Sequence, residues 1–224
     1  MNKANHILSA ACLSLALSLS SCTTESTESP PPPSSSVLPS SGSGGGSSGT
    51  FTDTRDSRIY KLVKIGDQTW MAENLNYDAS GSVCYDNSAS NCNTYGRLYD
   101  WSTALSACPD GWHLPSDSEW SILVKYADPS ATGDYSNVAG TKLKATSGWY
   151  SGGNDTDEFG FSALPGGRGH SGSFNDVGNY GDWWSATQYN TNYAYLRRMH
   201  YSLEYVRRFN DFKSFLASVR CLQG

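Results

Sequence analysis

Residues 23–50 are almost wholly Ser, Thr, Pro and Gly, and that tract decides how much of the 224-residue chain can fold. A segment so poor in apolar side chains cannot bury enough surface to offset the entropy of ordering its backbone. Four consecutive prolines at 30–33 favour extended polyproline II, whereas 41–49 reads as a flexible Gly/Ser coil. The tract is expected to act as a tether, so a packed core has to come from residues 51–224.

What precedes the tether has the make-up of an export leader. Lys3 is followed by an apolar run over 7–19, too short to span a bilayer as a stable helix. Leu19-Ser20-Ser21-Cys22 then sets small residues before a cysteine, the pattern at which bacteria attach lipid to an exported chain. Cleavage by a general signal peptidase, with Cys22 incidental, is the competing reading. The tether behind Cys22 favours lipidation of its thiol, with palmitate among the acyl chains. The expected organisation is a leader over 1–21, a lipid-anchored linker over 22–50 and a domain over 51–224. Cys22 would hold that domain to the bacterial membrane, at the outer membrane or cell surface.

The formal net charge is −5, and Lys3, Glu25 and Glu28 lie outside the domain, which leaves 15 basic and 19 acidic residues in it. Residues 51–192 hold 9 basic and 17 acidic side chains, against 6 and 2 in residues 193–224. An acidic domain without a covering basic face argues against nucleic acid as a partner.

Cys12 leaves with the leader and Cys22 takes lipid, so the domain keeps Cys84, Cys92, Cys108 and Cys221. An even set in an oxidising compartment predicts disulfides, and three pairings are open to four cysteines. Cys84 and Cys92 flank a short polar loop, which favours a local bridge and leaves Cys108 for Cys221. A metal site is the rival, unsupported by any Cys-x-x-Cys spacing or nearby His.

Apolar alternation over 58–65, then Gly66-Asp67, predicts a hairpin with 68–75. Trp101, Leu105 and Cys108 predict a helix over 99–108, stopped by Pro109-Asp110-Gly111. Residues 112–115 read as a short buried strand. Ser116, with Glu119 three residues on, is a capping box that opens a helix with Trp120, Leu123, Val124 and Ala127 on its apolar face. Residues 128–182, rich in Gly, Ser, Asn and Asp, predict long ordered loops rather than a second core. Strands over 183–187, 193–201, 205–212 and 215–222 predict a closing antiparallel sheet. A turn near Ser202-Leu203-Glu204 would set Arg197-Arg198 opposite Arg207-Arg208. Like charges facing across strands need compensation, from acidic loops, solvent or an anionic ligand.

Several of these runs resemble a known family. Tyr60-Lys61, Val63-Lys64-Ile65-Gly66, Gln68-Thr69-Trp70-Met71-Ala72-Glu73-Asn74-Leu75-Asn76-Tyr77 and Cys108-Pro109-Asp110-Gly111-Trp112-His113-Leu114-Pro115 resemble the Fibrobacter succinogenes major paralogous domain. Gly160-Phe161-Ser162-Ala163-Leu164-Pro165-Gly166-Gly167, Trp183-Trp184-Ser185-Ala186-Thr187 and Ser218-Val219-Arg220-Cys221 extend the likeness over essentially the whole domain. The resemblance implies an α+β, C-type lectin-like fold, related also to formylglycine-generating enzymes. That fold has a twisted antiparallel sheet, two helices, long ordered loops and terminal strands that meet. Its helix-to-last-strand cystine falls on Cys108 and Cys221. The family carries no established activity, so the likeness bears on architecture.

C-type lectins hold calcium and sugar with a Glu-Pro-Asn or Gln-Pro-Asp loop followed by Trp-Asn-Asp; here only Phe209-Asn210-Asp211 resembles the second half. Formylglycine-generating enzymes need reactive cysteines, which are assigned here to bridges. Gly169-His170-Ser171-Gly172-Ser173 begins like a nucleophile elbow but lacks its final Gly. His113 reads as a hydrogen-bonded core residue, and His170 and His200 lack an evident acid partner. Residues 154–160 alternate oxygen ligands before a Gly, which makes Asp155 and Asp157 candidate Ca2+ ligands. Phe159 occupies a ligand position there, and a solvated turn is the alternative.

The expected function is noncatalytic binding of an extracellular polysaccharide or a surface protein, with no catalytic residue assigned. Trp149, Tyr150 and Tyr180 stand among polar loops, where rings can stack on sugar faces. Trp183 and Trp184 alternate on a strand, so one is expected in the core. Arg197, Arg198, Arg207 and Arg208 are candidate contacts for an anionic glycan or a protein. The alternative is an enzyme acting on cell-wall or plant glycans, which needs a carboxylate pair assembled by the fold.

Overall fold

The computed structural model describes residues 48–224; the leader, Cys22 and the tether up to residue 47 lie outside them. The domain opens with β1 (Ser48–Thr52) paired antiparallel to β2 (Ile59–Ile65), which turns at Gly66-Asp67 into β3 (Gln68–Met71). Gly66 takes a positive φ of 60°, the conformation a two-residue hairpin loop demands. β1 starts inside the tract expected to be coil, because residues 48–50 find backbone partners in residues 61–63.

Next come α1 (Ala89–Tyr95), β4 (Leu98–Tyr99), α2 (Trp101–Ala104), β5 (Trp112–His113) and α3 (Asp117–Ala127). The helix expected over 99–108 shrinks to α2, since Tyr99 is taken by a sheet and the turn after Ala104 tightens to three-residue closures. α1 falls on a stretch read from sequence as loop; its only buried side chain is Cys92, so it shows no apolar periodicity. α3 has the expected capping box, and Trp120, Leu123, Val124 and Ala127 are its buried residues.

The remaining elements are β6 (Tyr135–Ser136), α4 (Ala139–Leu143), the hairpin β7 (Arg168–His170) and β8 (Ser173–Asn175), β9 (Tyr180–Gln188), β10 (Tyr193–His200), β11 (Leu203–Phe212), β12 (Ala217–Ser218) and β13 (Leu222–Gln223). Two larger sheets result, ordered β1-β2-β3-β13-β5 and β4-β12-β9-β10-β11-β6, in a mixed α+β architecture. The strand expected over 215–222 is thus divided: β12 joins the second sheet and β13 the first. Cys221 sits at that crossing, bridged to Cys108, and Cys84 is bridged to Cys92, both as expected.

β9 is covered on both faces. Trp183 enters a core with Trp70, Trp120, Leu143, Phe161 and Met199, whereas Trp184 enters another with Tyr60, Met71, Tyr99 and Leu196. Both tryptophans are fully buried, so the expectation of a single core tryptophan is corrected. Residues 128–182, expected as loops, also form β6, α4, β7 and β8, and they feed the first of these cores through Leu143 of α4, Phe161 and Ala163.

Arg220 is also fully buried. It donates to the carbonyls of Met71 (3.2 Å), Phe161 (2.5 Å) and Ser162 (3.3 Å), and to Asn74 Oδ1 at 2.7 Å. Asn74 Oδ1 also accepts the Trp183 indole N–H at 2.8 Å. Burial lowers the Arg220 pKa to about 9, which leaves it charged at neutral pH.

Candidate functional site

Strand alternation places Tyr180 of β9 and His200 of β10 side by side in register. Their ring centroids are 4.4 Å apart; Tyr201 follows at 4.5 Å from His200, and Tyr150 lies 5.5 Å beyond Tyr201. The four rings form one ledge, with Tyr150 outermost at 62% exposure. The backbone holds them in place: Tyr150 N–H donates to Gly178 O and Tyr201 N–H to Asn179 O, each at 2.9 Å. Gly153 packs so tightly on this corner that a Cβ would lie 2.1 Å from the Tyr201 carbonyl oxygen.

Beside the ledge lies a groove of about 260 Å³, lined by Lys144, Asn154, Asp155, Tyr201, Ser202 and Glu204. Lys144 is buried; its ammonium pairs with Asp155 at 2.5 Å and donates to Leu203 O and His200 O. Burial, reinforced by the Lys144 charge, lowers the His200 pKa and keeps the imidazole neutral at pH 7. Ser202 Oγ lies 3.0 Å from His200 Nδ1. A half-open groove of this size suits a single sugar ring more than a drug-sized ligand.

The ledge continues across the sheet as alternating guanidinium and ring. Arg198 lies 5.2 Å from the Tyr180 ring and 4.4 Å from Phe209, and Arg168 lies 5.5 Å from Tyr180 and 5.7 Å from Phe215. Arg198 is held by a bidentate pair with the fully buried Asp182 (2.7 and 2.8 Å), and Arg168 by Asp176 (2.6 Å). Arg207 is exposed and lies 5.7 Å from the Phe209 ring.

The arginine register is as expected, Arg197 opposite Arg208 and Arg198 opposite Arg207. Alternation then sends the four to different faces, and two expected contacts are corrected. Arg197 is buried under α3, paired with Asp117 and donating to Ser121 Oγ at 2.9 Å. Arg208 joins Asp117 at 3.1 Å and Asp134 at 2.6 Å, so this pair is compensated by the first residue of α3 together with one acid of the 128–182 stretch.

Trp149 is likewise a core residue, its indole N–H donated to Ala163 O at 2.9 Å; polar neighbours in the sequence concealed this. Asp155 is engaged with Lys144. Asp157 accepts from Ser162 N–H at 2.7 Å and Ser162 O–H at 2.6 Å, which makes it a turn cap rather than a calcium ligand. Among the described residues no three His, Cys, Asp or Glu side chains gather into a metal site. His113 is partly exposed rather than core, with Nε2 at 2.9 Å from Glu119 Oε1.

Tyr150 and Tyr180 are therefore brought together through Tyr201, which the sequence places near the arginine pairs, and are joined by His200 and Arg168, which sequence reasoning did not assign. The available signal was the register: extending the strand expected at 183–187 back to Tyr180 would have set that ring against His200. What fold and ledge define is a class, a disulfide-bridged α+β domain with a half-buried aromatic row that ends in the exposed Tyr150. Residues 63–223 match the Fibrobacter succinogenes major domain, and the chain belongs to that family. No curated protein and no solved structure matches it significantly.

Proposed function

We propose that the protein is a surface lipoprotein whose domain binds extracellular polysaccharide without catalysis. One observation carries this reading: the ledge of Tyr180, His200, Tyr201 and Tyr150 beside a groove lined with hydroxyl, amide and carboxylate groups. Aromatic faces cover the apolar faces of sugar rings, and the polar wall takes their hydroxyls. The architecture is read as C-type lectin-like, supported by the Cys108–Cys221 bridge and by β13 pairing with β3. Glycan hydrolysis would need two carboxylates flanking one bond. Asp155 and Glu204 both line the groove, but Asp155 is tied to Lys144, so binding is better supported.

Glycan-array binding of the full-length protein tests the site. Tyr150→Ala is expected to weaken retention about tenfold, the scale of one lost ring contact, with little change in melting temperature. Undiminished retention would remove the ledge from the function. The anchor is tested separately: Cys22→Ala should move the mature chain out of the detergent phase or leave it unprocessed.

A further inference from the structure

We propose that the polysaccharide is acidic, and that its carboxylates are received by Arg207 together with the spare N–H of Arg198 and, beyond Tyr180, by Arg168. This rests on the glycan reading above and names the class of glycan. Arg207, Phe209, Arg198, Tyr180, Arg168 and Phe215 form a continuous alternation of cation and ring on one side of the sheet. Arg198 is fixed by a bidentate carboxylate and Arg168 is ion-paired to another, and both lie near ring faces, which pre-orients them. Asp182 takes Nε and Nη2 of Arg198, and Asp176 sits against Nε of Arg168. Arg198 Nη1 and both terminal nitrogens of Arg168 therefore remain as donors among the described residues.

Arg207 has no carboxylate within ion-pair distance among the described residues, yet it lies directly across from Arg198. A like-charged cross-strand pair is unfavourable when nothing lies between the charges. Its partner pair on the opposite face, Arg197 and Arg208, is neutralised by Asp117 and Asp134. Within ion-pair distance the Arg198/Arg207 pair has only the buried Asp182, which serves Arg198, and Asp211 acts on Arg198 from farther off.

A planar carboxylate suits these guanidiniums, since it accepts two parallel N–H bonds from one of them. Asp211, on the same strand as Phe209, and Glu204, at the groove, oppose an anion near themselves, so the carboxylate belongs on the Arg207 side. The uncharged part of the chain then runs over Tyr180 toward Tyr201 and Tyr150. Adjacent strands lie about 4.8 Å apart and Arg207 aligns with Asp182, two residues from Tyr180, so Arg207 on β11 and Tyr180 on β9 are separated by roughly 12 Å, a span that a short oligosaccharide covers.

Affinity electrophoresis of the full-length protein tests this with three polymers: polygalacturonate, the same polymer as its methyl ester, and dextran sulfate. Retardation by polygalacturonate is expected, falling steeply as salt is raised, with the methyl ester about fivefold to tenfold weaker. Arg207→Gln should erase the difference between acid and ester, while Tyr150→Ala should weaken both. Equal binding of acid and ester, unaffected by Arg207→Gln, overturns the acidic class and leaves glycan binding standing. Retardation by dextran sulfate alone overturns the choice of a carboxylate, and retardation by none of the three overturns this inference. If the glycan array is positive in that last case, the broader reading survives.

Discussion

Arg197 and Arg207 carry the same side chain ten positions apart on neighbouring strands, and their surroundings make them opposite cases. Arg197 is desolvated and donates to the Asp117 carboxylate, the Asp117 carbonyl and Ser121, so its loss leaves buried acceptors short of a donor even though Asp117 keeps Arg208. Arg207 is exposed and free of any ion pair among the described residues. Arg197→Gln is therefore expected to lower stability by about 3 kcal/mol, and Arg207→Gln to change it by less than about 0.5 kcal/mol. Urea unfolding midpoints check both, and similar losses would refute the division. The pairing of the four arginines was legible in the sequence, because a hairpin turn sets register. The face each takes was not. A shift of one residue exchanges the faces of a strand, and the landmark that would fix parity, Trp183-Trp184, is apolar at both positions. Trp149 misled for a related reason, since polar flanking residues hide a single indole that turns inward.

Among the elements, α3 was the most legible, because a capping box and a four-residue apolar face specify both its start and its orientation. α1 and β13 were the least legible. The first depends on a cystine instead of an apolar stripe, and the second is two residues placed by tertiary pairing. The two bridges should differ in weight. Cys84–Cys92 closes a separation of 8 residues and Cys108–Cys221 one of 113. In the chain-entropy picture these constrain the unfolded chain by about 2.5 and about 4.8 kcal/mol. Thermal melts of Cys84→Ser/Cys92→Ser and Cys108→Ser/Cys221→Ser should show the larger drop in the second. The reverse order would mean that the short bridge holds α1 by more than loop closure.

At the scale of the whole molecule, acid should unfold the protein in two stages. His200 is kept neutral by burial and by Lys144, so its contribution is complete above its ordinary value of 6.5 and declines as pH falls below it. The second stage belongs to carboxylates. Asp53 is raised by burial but held lower by Arg55, and Glu119 is raised by burial but held lower by Ser116 and His113. Hydrogen bonds from Ser130 and Ser136 hold Asp128 down. Stabilisation from these three is present above their ordinary values of 3.8 to 4.5 and is lost as pH falls through the lower folded values. Asp182 runs the other way, because burial raises its pKa despite Arg198, and it partly offsets the loss. Urea midpoints measured from pH 8 to pH 3 should fall modestly below pH 6.5 and steeply below about pH 4. His200→Gln should remove the first decline alone; a decline that persists in that variant would assign it elsewhere.

The position of β13 has a consequence for timing. It lies between β3 and β5, so the middle of one sheet stays vacant until the last residues of the chain arrive. The same short tail carries Arg220 and the cysteine that reaches back to Cys108. A chain still on the ribosome and short of residue 220 therefore lacks the strand, the cation and the thiol that complete the interior. A nascent chain cannot close this fold until residues 220–223 have been added, so the late stretch of the domain sets when its interior becomes dry.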